Sequence, residues 1–318
     1  LQFLERVQLI GGNGGEEFSF NDPHFANNGS VIEKIEIWAG TNCLNAIRVT
    51  LSDGNSLTKG RTHGPKESMT FTDGQTILEL SLWGNGNGTR CGGVRIKRSD
   101  GEWMMHNMTK WGLKTEYPVN VGSGIPVGIM GNAGWEIDSL GFLFLKKVAS
   151  CRTMNVKIDL SGEHSARKSA YEVTRTVPNC STVTQTPTVK LSDTVSTTTN
   201  TSRGVGLEVS TNASISFGPP ECNIGGGITV SNSITLSGRR SVTRTRTIGE
   251  DVPITVPAFS TIRATLKCTV ATFDAPYSAT VITTFTDRSE MRTRTNGTYK
   301  GVSYSDGTIT YRQLETSC

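Results

Sequence analysis

The sequence lacks the short motifs of the common hydrolases and phosphate-transfer enzymes. No H-E-x-x-H, G-x-S-x-G or P-loop pattern occurs in its 318 residues, and the four histidines are scattered. Those patterns supply the zinc ligands, the serine nucleophile and the phosphate-binding backbone of such enzymes. We therefore expect a protein that is not an enzyme, and we assign it no catalytic residue and no cofactor. A secreted hydrolase is kept as a rival function.

Closely spaced cysteine pairs are also missing. The seven cysteines stand far apart along the chain, and none forms a C-x-x-C pair. Cysteines at short spacing hold zinc or form redox-active disulfides, so the sequence predicts neither a metal site nor a thioredoxin-like centre. The odd number leaves at least one thiol unpaired within a single chain, and the sequence does not reveal which cysteines pair.

Long apolar runs and a strong net charge are absent as well. No stretch of about 18 apolar residues occurs, which excludes a transmembrane helix. The first residues, LQFLERVQLIGG, lack the charged, apolar and small-residue order of a signal peptide. A net charge of +4 is small for this length and gives no indication of nucleic-acid binding. We expect a globular protein that does not bind nucleic acid.

Strand signals dominate what the sequence does contain. Apolar and polar residues alternate in runs such as Leu78, Leu80 and Leu82, and no segment shows the 3.6-residue period of a helix. Asp-Gly pairs indicate tight hairpin turns, because glycine accepts a positive φ there. These pairs are Asp53-Gly54, Asp73-Gly74, Asp100-Gly101 and Asp306-Gly307. The sequence predicts an all-β protein.

The composition changes near residue 148. Tryptophan and glycine are common before this point, and the last tryptophan is Trp135. Threonine, serine and valine dominate afterwards, as in DTVSTTTNTSR. Such a shift is typical of a domain boundary. We predict two domains, which span 1–147 and 148–318.

Two glycine-rich loops bracket the first domain. They are GGNGG at 11–15 and GNAGWEIDSLGF at 131–142. Glycine lets the backbone turn tightly and present its N–H groups to a polar ligand. The carboxylate of Asp138 can accept hydrogen bonds from hydroxyl groups. The alternative interpretation of both loops is a plain hairpin turn.

The first domain resembles the jacalin-related lectins. The resemblance rests on GGNGG and on the G-x-x-x-D at 134–138, which is followed by SLGF. It implies a three-fold β-prism in which the two loops meet at one apex, where backbone N–H groups and one carboxylate hold a hexose. Because the chain runs uncut into the first loop, the resemblance favours a mannose-type site. The site residues that it implies are Gly14, Gly15, Trp135, Glu136 and Asp138.

Nearly the whole chain resembles the natterin-like group of vertebrate aerolysin-like proteins of fish and lamprey. The segments that carry this resemblance are LWGNGNGTRCGGVRIK, KWGLKTEYPVNVGSG, TFDAPYSATV and YKGVSYSDG. It implies a lectin head followed by an elongated aerolysin-type β module that forms pores. In such a protein, 148–318 would be the pore-forming domain.

Segment 205–236 alternates apolar and polar residues more strictly than any other stretch. Strands of about 9 to 11 residues with one apolar face can cross a bilayer. The segment therefore predicts a membrane-inserting hairpin, with a loop around Pro219 and Pro220. Any antiparallel sheet with one buried face is the alternative. The predicted lipid-facing residues are Val205, Leu207, Val209, Ile215, Phe217, Ile228, Val230, Ile234 and Leu236.

A membrane-inserted hairpin requires partners. In lipid its outer N–H and C=O groups would be unpaired, so several chains must complete a closed barrel. We predict a homo-oligomer, with a soluble dimer as a candidate first step. The expected partners are mannose-type or complex N-glycans on a target cell, and then its membrane. We expect a secreted cytolysin of innate defence that acts at that membrane; the alternative is a soluble carbohydrate-binding lectin that forms no pore.

Overall fold

The computed structural model contains β-strands and no helix in the residues that it describes. These residues are 2–21, 29–72, 74–110, 112–113, 115–159, 167–201, 215–217, 222–223, 229–230, 234–236, 241–304 and 307–315. The predicted all-β fold is confirmed. Within the same ranges, no helix occurs that could span a membrane.

The described strands between residues 10 and 144 form three antiparallel sheets of four strands each. In chain order they are β1 (Ile10–Gly11), β2 (Glu16–Phe20), β3 (Ile32–Ala39), β4 (Leu44–Leu51), β5 (Ser56–Gly60), β6 (Lys66–Thr70), β7 (Ile77–Gly84), β8 (Cys91–Arg98), β9 (Trp103–Asn107), β10 (Glu116–Pro118), β11 (Pro126–Ala133) and β12 (Ile137–Phe144). The strand orders are β1-β12-β11-β2, β5-β4-β3-β6 and β10-β7-β8-β9. This arrangement is consistent with the β-prism that the resemblance implies.

The three sheets share one apolar core. It receives Ile37 and Ile47 from one sheet, Leu82 and Ile96 from the second, and Phe142 from the third. Each of these side chains is buried, because alternate residues of a strand point to the same face. Burial of one such side chain stabilises the fold by about 1.5–3 kcal/mol. The shared core therefore fixes the position at which each connecting loop emerges.

Two of the four predicted Asp-Gly hairpin turns are confirmed, because Gly54 joins the paired strands β4 and β5 and Gly101 joins the paired strands β8 and β9. Gly74 also turns the chain, but it joins β6 to β7, which lie in different sheets, so no hairpin forms there. Gly54, Gly74 and Gly101 have φ values of 88°, 77° and 93°, which lie in the left-handed region. At Gly54 and Gly101 an added Cβ atom would have no neighbour within 4 Å. Only the backbone conformation requires glycine at these two positions. The fourth turn includes Asp306, which lies outside the described residues.

The strands from residue 148 onward pair with one another. In chain order they are β13 (Val148–Ile158), β14 (Arg167–Asn179), β15 (Thr188–Thr201), β16 (Ile215–Phe217), β17 (Cys222–Asn223), β18 (Thr229–Val230), β19 (Ile234–Leu236), β20 (Ser241–Pro253), β21 (Ser260–Phe285), β22 (Glu290–Tyr304) and β23 (Thr308–Leu314). Seven of them form one sheet around β21. At about 3.3 Å per residue, this strand spans up to about 85 Å.

Strand β21 has different neighbours along its length. Its first half pairs with β14 and β23, and its second half pairs with β13 and β22. In the first half, alternate residues such as Ile262, Ala264 and Leu266 are buried. They pack in one cluster with Val173 of β14 and Leu191 of β15. The opposite face of β21 and of its neighbours β14 and β23 carries polar residues, such as Thr174, Arg263 and Arg312.

A second apolar cluster joins residues from both predicted domains. Val127 and Leu143 of the first half pack in it with Phe285 and Met291 of the second. The ring of Phe3 also stacks on that of Phe285, with 5.7 Å between the centroids. Strand pairing changes at this junction, since the described strands before β13 pair only with one another. The boundary at 147/148 stays a prediction, which this change in pairing favours.

Part of the predicted hairpin is described at the level of the backbone. Strand β16 pairs with β19, and Ile215 lies opposite Leu236 while Phe217 lies opposite Ile234. Pairing continues into the predicted loop, where Cys222 lies opposite Val230. This ladder can form because Cys222 and Asn223 follow both prolines in the sequence, so each has a backbone N–H to donate. Strand β16 lies against β13, and β18 lies against β22. Val205, Leu207, Val209 and Ile228 lie outside the described residues.

Candidate functional site

The two glycine-rich loops meet in the structure. The first follows β1 and the second joins β11 to β12, and β12 pairs with β1 while β11 pairs with β2. These pairings bring both loops to one end of the sheet. The backbone N–H of Gly12 donates to the carbonyl of Asp138 at 2.8 Å. A Cβ atom added to Gly134 would lie 4.0 Å from the Cα atom of Gly15.

The first glycine loop wraps the side chain of Asp138. A Cβ atom at Gly14 would lie 2.5 Å from Oδ1 of this carboxylate, and one at Gly15 would lie 2.5 Å from Oδ2. Gly15 also has a φ of 68°, which disfavours any side chain. Only glycine at both positions lets the backbone approach the carboxylate so closely. Asp138 is 3% exposed as a result.

An arginine from the neighbouring sheet completes the surroundings of Asp138. Arg90, in the turn between β7 and β8, places Nη1 2.8 Å from Oδ1 of Asp138. Its Nε donates to Oε2 of Glu136 at 3.2 Å, and its Nη1 also donates to the carbonyl of Thr89. The guanidinium thus bridges two carboxylates that the sequence places two residues apart. Such a bridge offsets part of the cost of burying a charged carboxylate.

Trp135 is the most exposed part of the site. Its side chain is 76% exposed, and the guanidinium of Arg61 lies over its ring, 5.2 Å from the centroid. The backbone N–H of Arg61 donates to the carbonyl of Trp135 at 3.0 Å. These contacts fix an aromatic surface beside the buried carboxylate. An aromatic face next to hydrogen-bonding groups can receive a ligand that has both apolar and polar sides.

A buried thiol lies beneath the second loop. Burial, together with the charge of Glu136 and a hydrogen bond to it, raises the pKa of Cys43 to about 12. Burial likewise raises the pKa of Cys91 to about 12. Both cysteines are free and buried. They are protonated at neutral pH and act as small apolar side chains rather than as nucleophiles.

The structure brings the five sequence-predicted residues together and adds two that the sequence analysis missed. The five are Gly14, Gly15, Trp135, Glu136 and Asp138. Arg90 and Arg61 were missed because each comes from a loop that only the tertiary fold places beside Asp138 or Trp135. The sequence gives one weak signal for Arg90, its place within the glycine-rich NGNGTRCGG. The role of the five residues in sugar binding stays a prediction.

A metal centre finds no support in the described part of the chain. No group of three or more histidine, cysteine, aspartate or glutamate side chains there could hold a metal ion. The site has two carboxylates, those of Glu136 and Asp138, and Arg90 forms an ion pair with each. Carboxylate acceptors, backbone groups and an exposed aromatic ring are suited to binding a neutral polyhydroxyl ligand.

Comparison with known families identifies the first half. Residues 7–143 match the family model described as the Jacalin-like lectin domain. The chain carries a jacalin-like lectin domain. The resemblance stated from the sequence is thereby confirmed for this half, and a lectin domain indicates carbohydrate binding. A comparison with curated proteins found no match.

Solved structures extend the comparison to the whole chain. The crystal structure of a lamprey immune protein is 28% identical and covers 97% of this chain and 98% of its own, with a TM-score of 0.66. The wild-type Malaysian banana lectin is 22% identical and covers 44% of this chain and 96% of its own, with a TM-score of 0.35. The agglutinin of Calystegia sepium is 19% identical and covers 44% and 97%, with a TM-score of 0.35. The lamprey protein thus shares the all-β architecture along both halves.

Proposed function

We propose that the protein binds cell-surface glycans through its lectin domain and then forms an oligomeric pore in the same membrane. The observation that carries the first step is the buried carboxylate of Asp138, wrapped by Gly14 and Gly15 beside the exposed ring of Trp135. This arrangement stands in a jacalin-like lectin domain. The protein acts by binding rather than by catalysis.

The proposed ligand is a single hexose ring of a mannose-type or complex N-glycan. Its hydroxyl groups donate to the carboxylate of Asp138, and charge-assisted hydrogen bonds of this kind are the stronger ones. Backbone N–H groups of Gly15, Trp135 and Glu136 donate to the sugar oxygens. The exposed face of Trp135 covers the apolar side of the ring or of a neighbouring sugar. Binding through several chains of one oligomer would turn a modest affinity for one site into a strong attachment.

The second step rests on an aerolysin-type pore-forming module, proposed for residues 148–318. Its support is the alternation of 205–236 and the pairing of Ile215 with Leu236 and of Phe217 with Ile234. Strand β16 also lies against β13 and β18 against β22, two strands of the large sheet, and these contacts are consistent with a segment that is stored on the sheet before insertion. We propose that the hairpin leaves this sheet and that hairpins of several chains pair into a closed barrel in lipid.

Three buried threonines of the large sheet lower its stability. The Oγ1 atoms of Thr153, Thr283 and Thr293 are buried and have no hydrogen-bond partner in the described part of the chain. Each buried hydroxyl without a partner costs about 1–3 kcal/mol. We propose that a rearrangement of this sheet during pore formation exposes these groups to water.

The proposed setting is outside the cell. The protein would be secreted and would act in defence at the membrane of a target cell, as the similarity to a lamprey immune protein favours. A soluble dimer is a candidate intermediate, and nucleic acid is not a proposed partner. The second candidate function is a carbohydrate-binding lectin without pore formation, which the match of residues 7–143 supports by itself.

Dye release from liposomes tests the proposal. Liposomes that carry N-glycans should bind the protein and release their dye, while liposomes without glycans should release far less. Asp138→Asn keeps the volume enclosed by the glycine loop but removes the charge, and it should abolish both binding and glycan-dependent release. Binding without release would contradict the pore and leave the lectin. An unchanged glycan-array profile for Asp138→Asn would contradict the assigned site.

A further inference from the structure

The polar face of β14, β21 and β23 carries an open groove of about 440 Å³. It lies on the side opposite the apolar cluster of these strands and far along the sequence from the lectin domain. We define the arginine–threonine groove by the residues on its floor, which are Thr174, Thr176, Arg263, Thr265, Thr310 and Arg312. Neither the proposed glycan binding nor the proposed insertion of the hairpin involves this surface.

Two arginines stand side by side in the arginine–threonine groove. The strand register places Arg263 of β21 directly opposite Arg312 of β23, and Thr176 lies on the other side of Arg263. Side chains that are directly opposite have Cβ atoms about 4.5–5.5 Å apart, and like charges at such positions destabilise a sheet. Neither guanidinium has an ion-pair or hydrogen-bond partner within the described residues. The two positive charges are thus held together without compensation.

The acidic residue at the edge of the groove is already engaged. Glu172 lies opposite Lys267, and its Oε2 is 3.4 Å from the lysine Nζ. Among the described residues that line the groove, Glu172 is the single acid and faces three cationic side chains. The groove therefore has an excess of two positive charges. These charges are concentrated at the Arg263–Arg312 end, away from the ion pair.

A row of hydroxyl groups lies next to the two arginines. Thr174, Thr265 and Thr310 occupy successive strands at the same level of the sheet. The Oγ1 atoms of Thr174 and Thr265 are 3.0 Å apart and share a hydrogen bond. Three hydroxyl groups therefore border the two guanidinium groups, and that of Thr310 donates to the backbone carbonyl of Thr265 over a long distance of 3.5 Å, a hydrogen bond that an anion can replace. Hydroxyl groups can donate hydrogen bonds to an anion whose charge the arginines neutralise.

We propose that the arginine–threonine groove binds a phosphate or sulfate group. The planar guanidinium fork matches the oxygens of a tetrahedral oxyanion, and charge-assisted hydrogen bonds to it are strong. Arg263 and Arg312 bind the anion from two neighbouring strands, and the hydroxyls of Thr265 and Thr310 complete its hydrogen bonds. The anion relieves the repulsion between the two arginines. Its source is either a soluble oxyanion or the phosphate of a lipid headgroup.

Calorimetry on the full chain tests this site with inorganic phosphate and sulfate, at an ionic strength held constant with chloride. The test variant is Arg263→Gln/Arg312→Gln. The control variant is Arg292→Gln/Arg294→Gln, which removes the same charge from two exposed positions of β22 in the same sheet. The test variant should lose roughly tenfold in phosphate affinity for each guanidinium removed. The control variant should keep the affinity of the wild type.

A second arm identifies the source of the anion. Flotation of the full chain is measured with vesicles of phosphatidylcholine alone and of phosphatidylcholine with phosphatidic acid. Flotation that depends on phosphatidic acid and on both arginines supports the groove and indicates a lipid phosphate. Binding of inorganic phosphate without such flotation also supports the groove and indicates a soluble anion.

Several outcomes would overturn the proposal. Equal losses of affinity in the test and control variants would mean general attraction to a basic sheet, and absence of binding by the wild type in both arms would leave no site. The test variant should melt at the wild-type temperature or above it, because a like-charge pair has been removed. Should it fail to fold, Arg312→Gln alone, on the edge strand β23, must still weaken phosphate binding.

Discussion

Arg90 and Asp138 form an ion pair in which one partner is buried and the other is reachable by solvent. The Asp138 side chain is 4% exposed and that of Arg90 is 36% exposed, with 2.8 Å between Oδ1 and Nη1. The arginine comes from one sheet of the lectin domain and the aspartate from another. The pair therefore couples the orientation of the proposed sugar acceptor to the packing between two sheets.

Removal of Arg90 should weaken both stability and glycan binding. Arg90→Gln leaves a buried carboxylate without its cation, which costs about 1–2 kcal/mol after allowance for solvent screening. The carboxylate also loses the contact that orients it, so the affinity for an immobilised glycan should fall. Chemical denaturation and a glycan-binding assay measure the two effects.

The matched control for Arg90 is Arg95→Gln in β8. Arg95 pairs with Glu116, and both side chains are about a third exposed. Exposed ion pairs contribute less than about 1 kcal/mol. The Arg95 guanidinium also lies 5.6 and 5.4 Å from the ring centroids of Trp83 and Trp103, and each such contact adds about 0.5–1 kcal/mol at an exposed site. This variant should therefore lose some stability but bind glycans normally. Equal losses of glycan affinity in the two variants would show that the buried partner of Arg90 is unimportant for binding.

A side chain at Gly15 should disrupt the site, whereas one at Gly54 should not. Both glycines have a positive φ, of 68° and 88°, so alanine carries a similar backbone strain at each. At Gly15 the new Cβ would also lie 2.5 Å from Oδ2 of Asp138 and from the backbone of Ala133. At Gly54 it would meet nothing within 4 Å.

We therefore expect Gly54→Ala to lower stability by about 1 kcal/mol and to leave glycan binding intact. Gly15→Ala should lower stability further and should abolish glycan binding. Thermal melts and a glycan array compare the two variants. Normal binding by Gly15→Ala would show that the close approach of the first loop to Asp138 has no part in recognition.

Replacement of a buried hydroxyl should stabilise the large sheet. Thr293 is 1% exposed, and its Oγ1 has no hydrogen-bond partner in the described residues. Thr293→Val removes this group and keeps the shape, so the free energy of unfolding should rise by about 1 kcal/mol. If the hairpin must leave the sheet, dye release should begin later.

The control is Thr286→Val at an exposed position, which should change neither the free energy of unfolding nor the onset of dye release. A Thr293→Val variant that is less stable than the wild type would contradict the assignment of an unpartnered buried hydroxyl.

Acid should weaken the junction between the two halves. Hydrogen bonds from Lys146 and Ser289 hold the pKa of Asp287 well below its ordinary value. A carboxyl with a lowered pKa stabilises the fold above its unfolded pKa of about 4, and this contribution is lost as the pH falls through the folded pKa. In Asp287→Asn the free energy of unfolding should therefore depend less steeply on pH in the acid range.

Denaturant titrations at a series of pH values measure this dependence. Lys146→Gln should have the same direction of effect but a smaller one than Asp287→Asn, because it removes the Nζ that lies 2.6 Å from Oδ2 while Ser289 still donates to the carboxylate. The double variant should add little to Asp287→Asn alone. A pH dependence identical to that of the wild type in both single variants would contradict this assignment.

The sequence predicts those features that local patterning controls. Alternation predicted the all-β fold, and Asp-Gly pairs predicted the hairpin turns at Gly54 and Gly101, because a left-handed backbone limits the choice of residue. The approach of the two glycine loops followed from a family resemblance. The alternation, the turns and each glycine loop are all recognised from residues that are close together in the sequence.

Contacts between distant loops could not be predicted in this way. The bridge from Arg90 to Glu136 and the contact of Arg61 with Trp135 join residues separated by 46 and 74 positions. Nothing in the local sequence distinguishes these arginines from exposed ones. The pairing of Arg263 with Arg312 likewise depends on the register of β21 and β23, which the core residues Ile262, Ala264 and Leu266 set from the opposite face.

Dye release by paired hairpin variants tests the central claim most directly. Val209→Asp puts a charge on the proposed lipid face of segment 205–236, and Ser210→Asp puts the same charge on its polar face. On glycan-bearing liposomes, both variants should bind as the wild type does; Val209→Asp should release almost no dye, and Ser210→Asp should still release it. Undiminished release by Val209→Asp would contradict the account, because the membrane would then be crossed by another part of the chain.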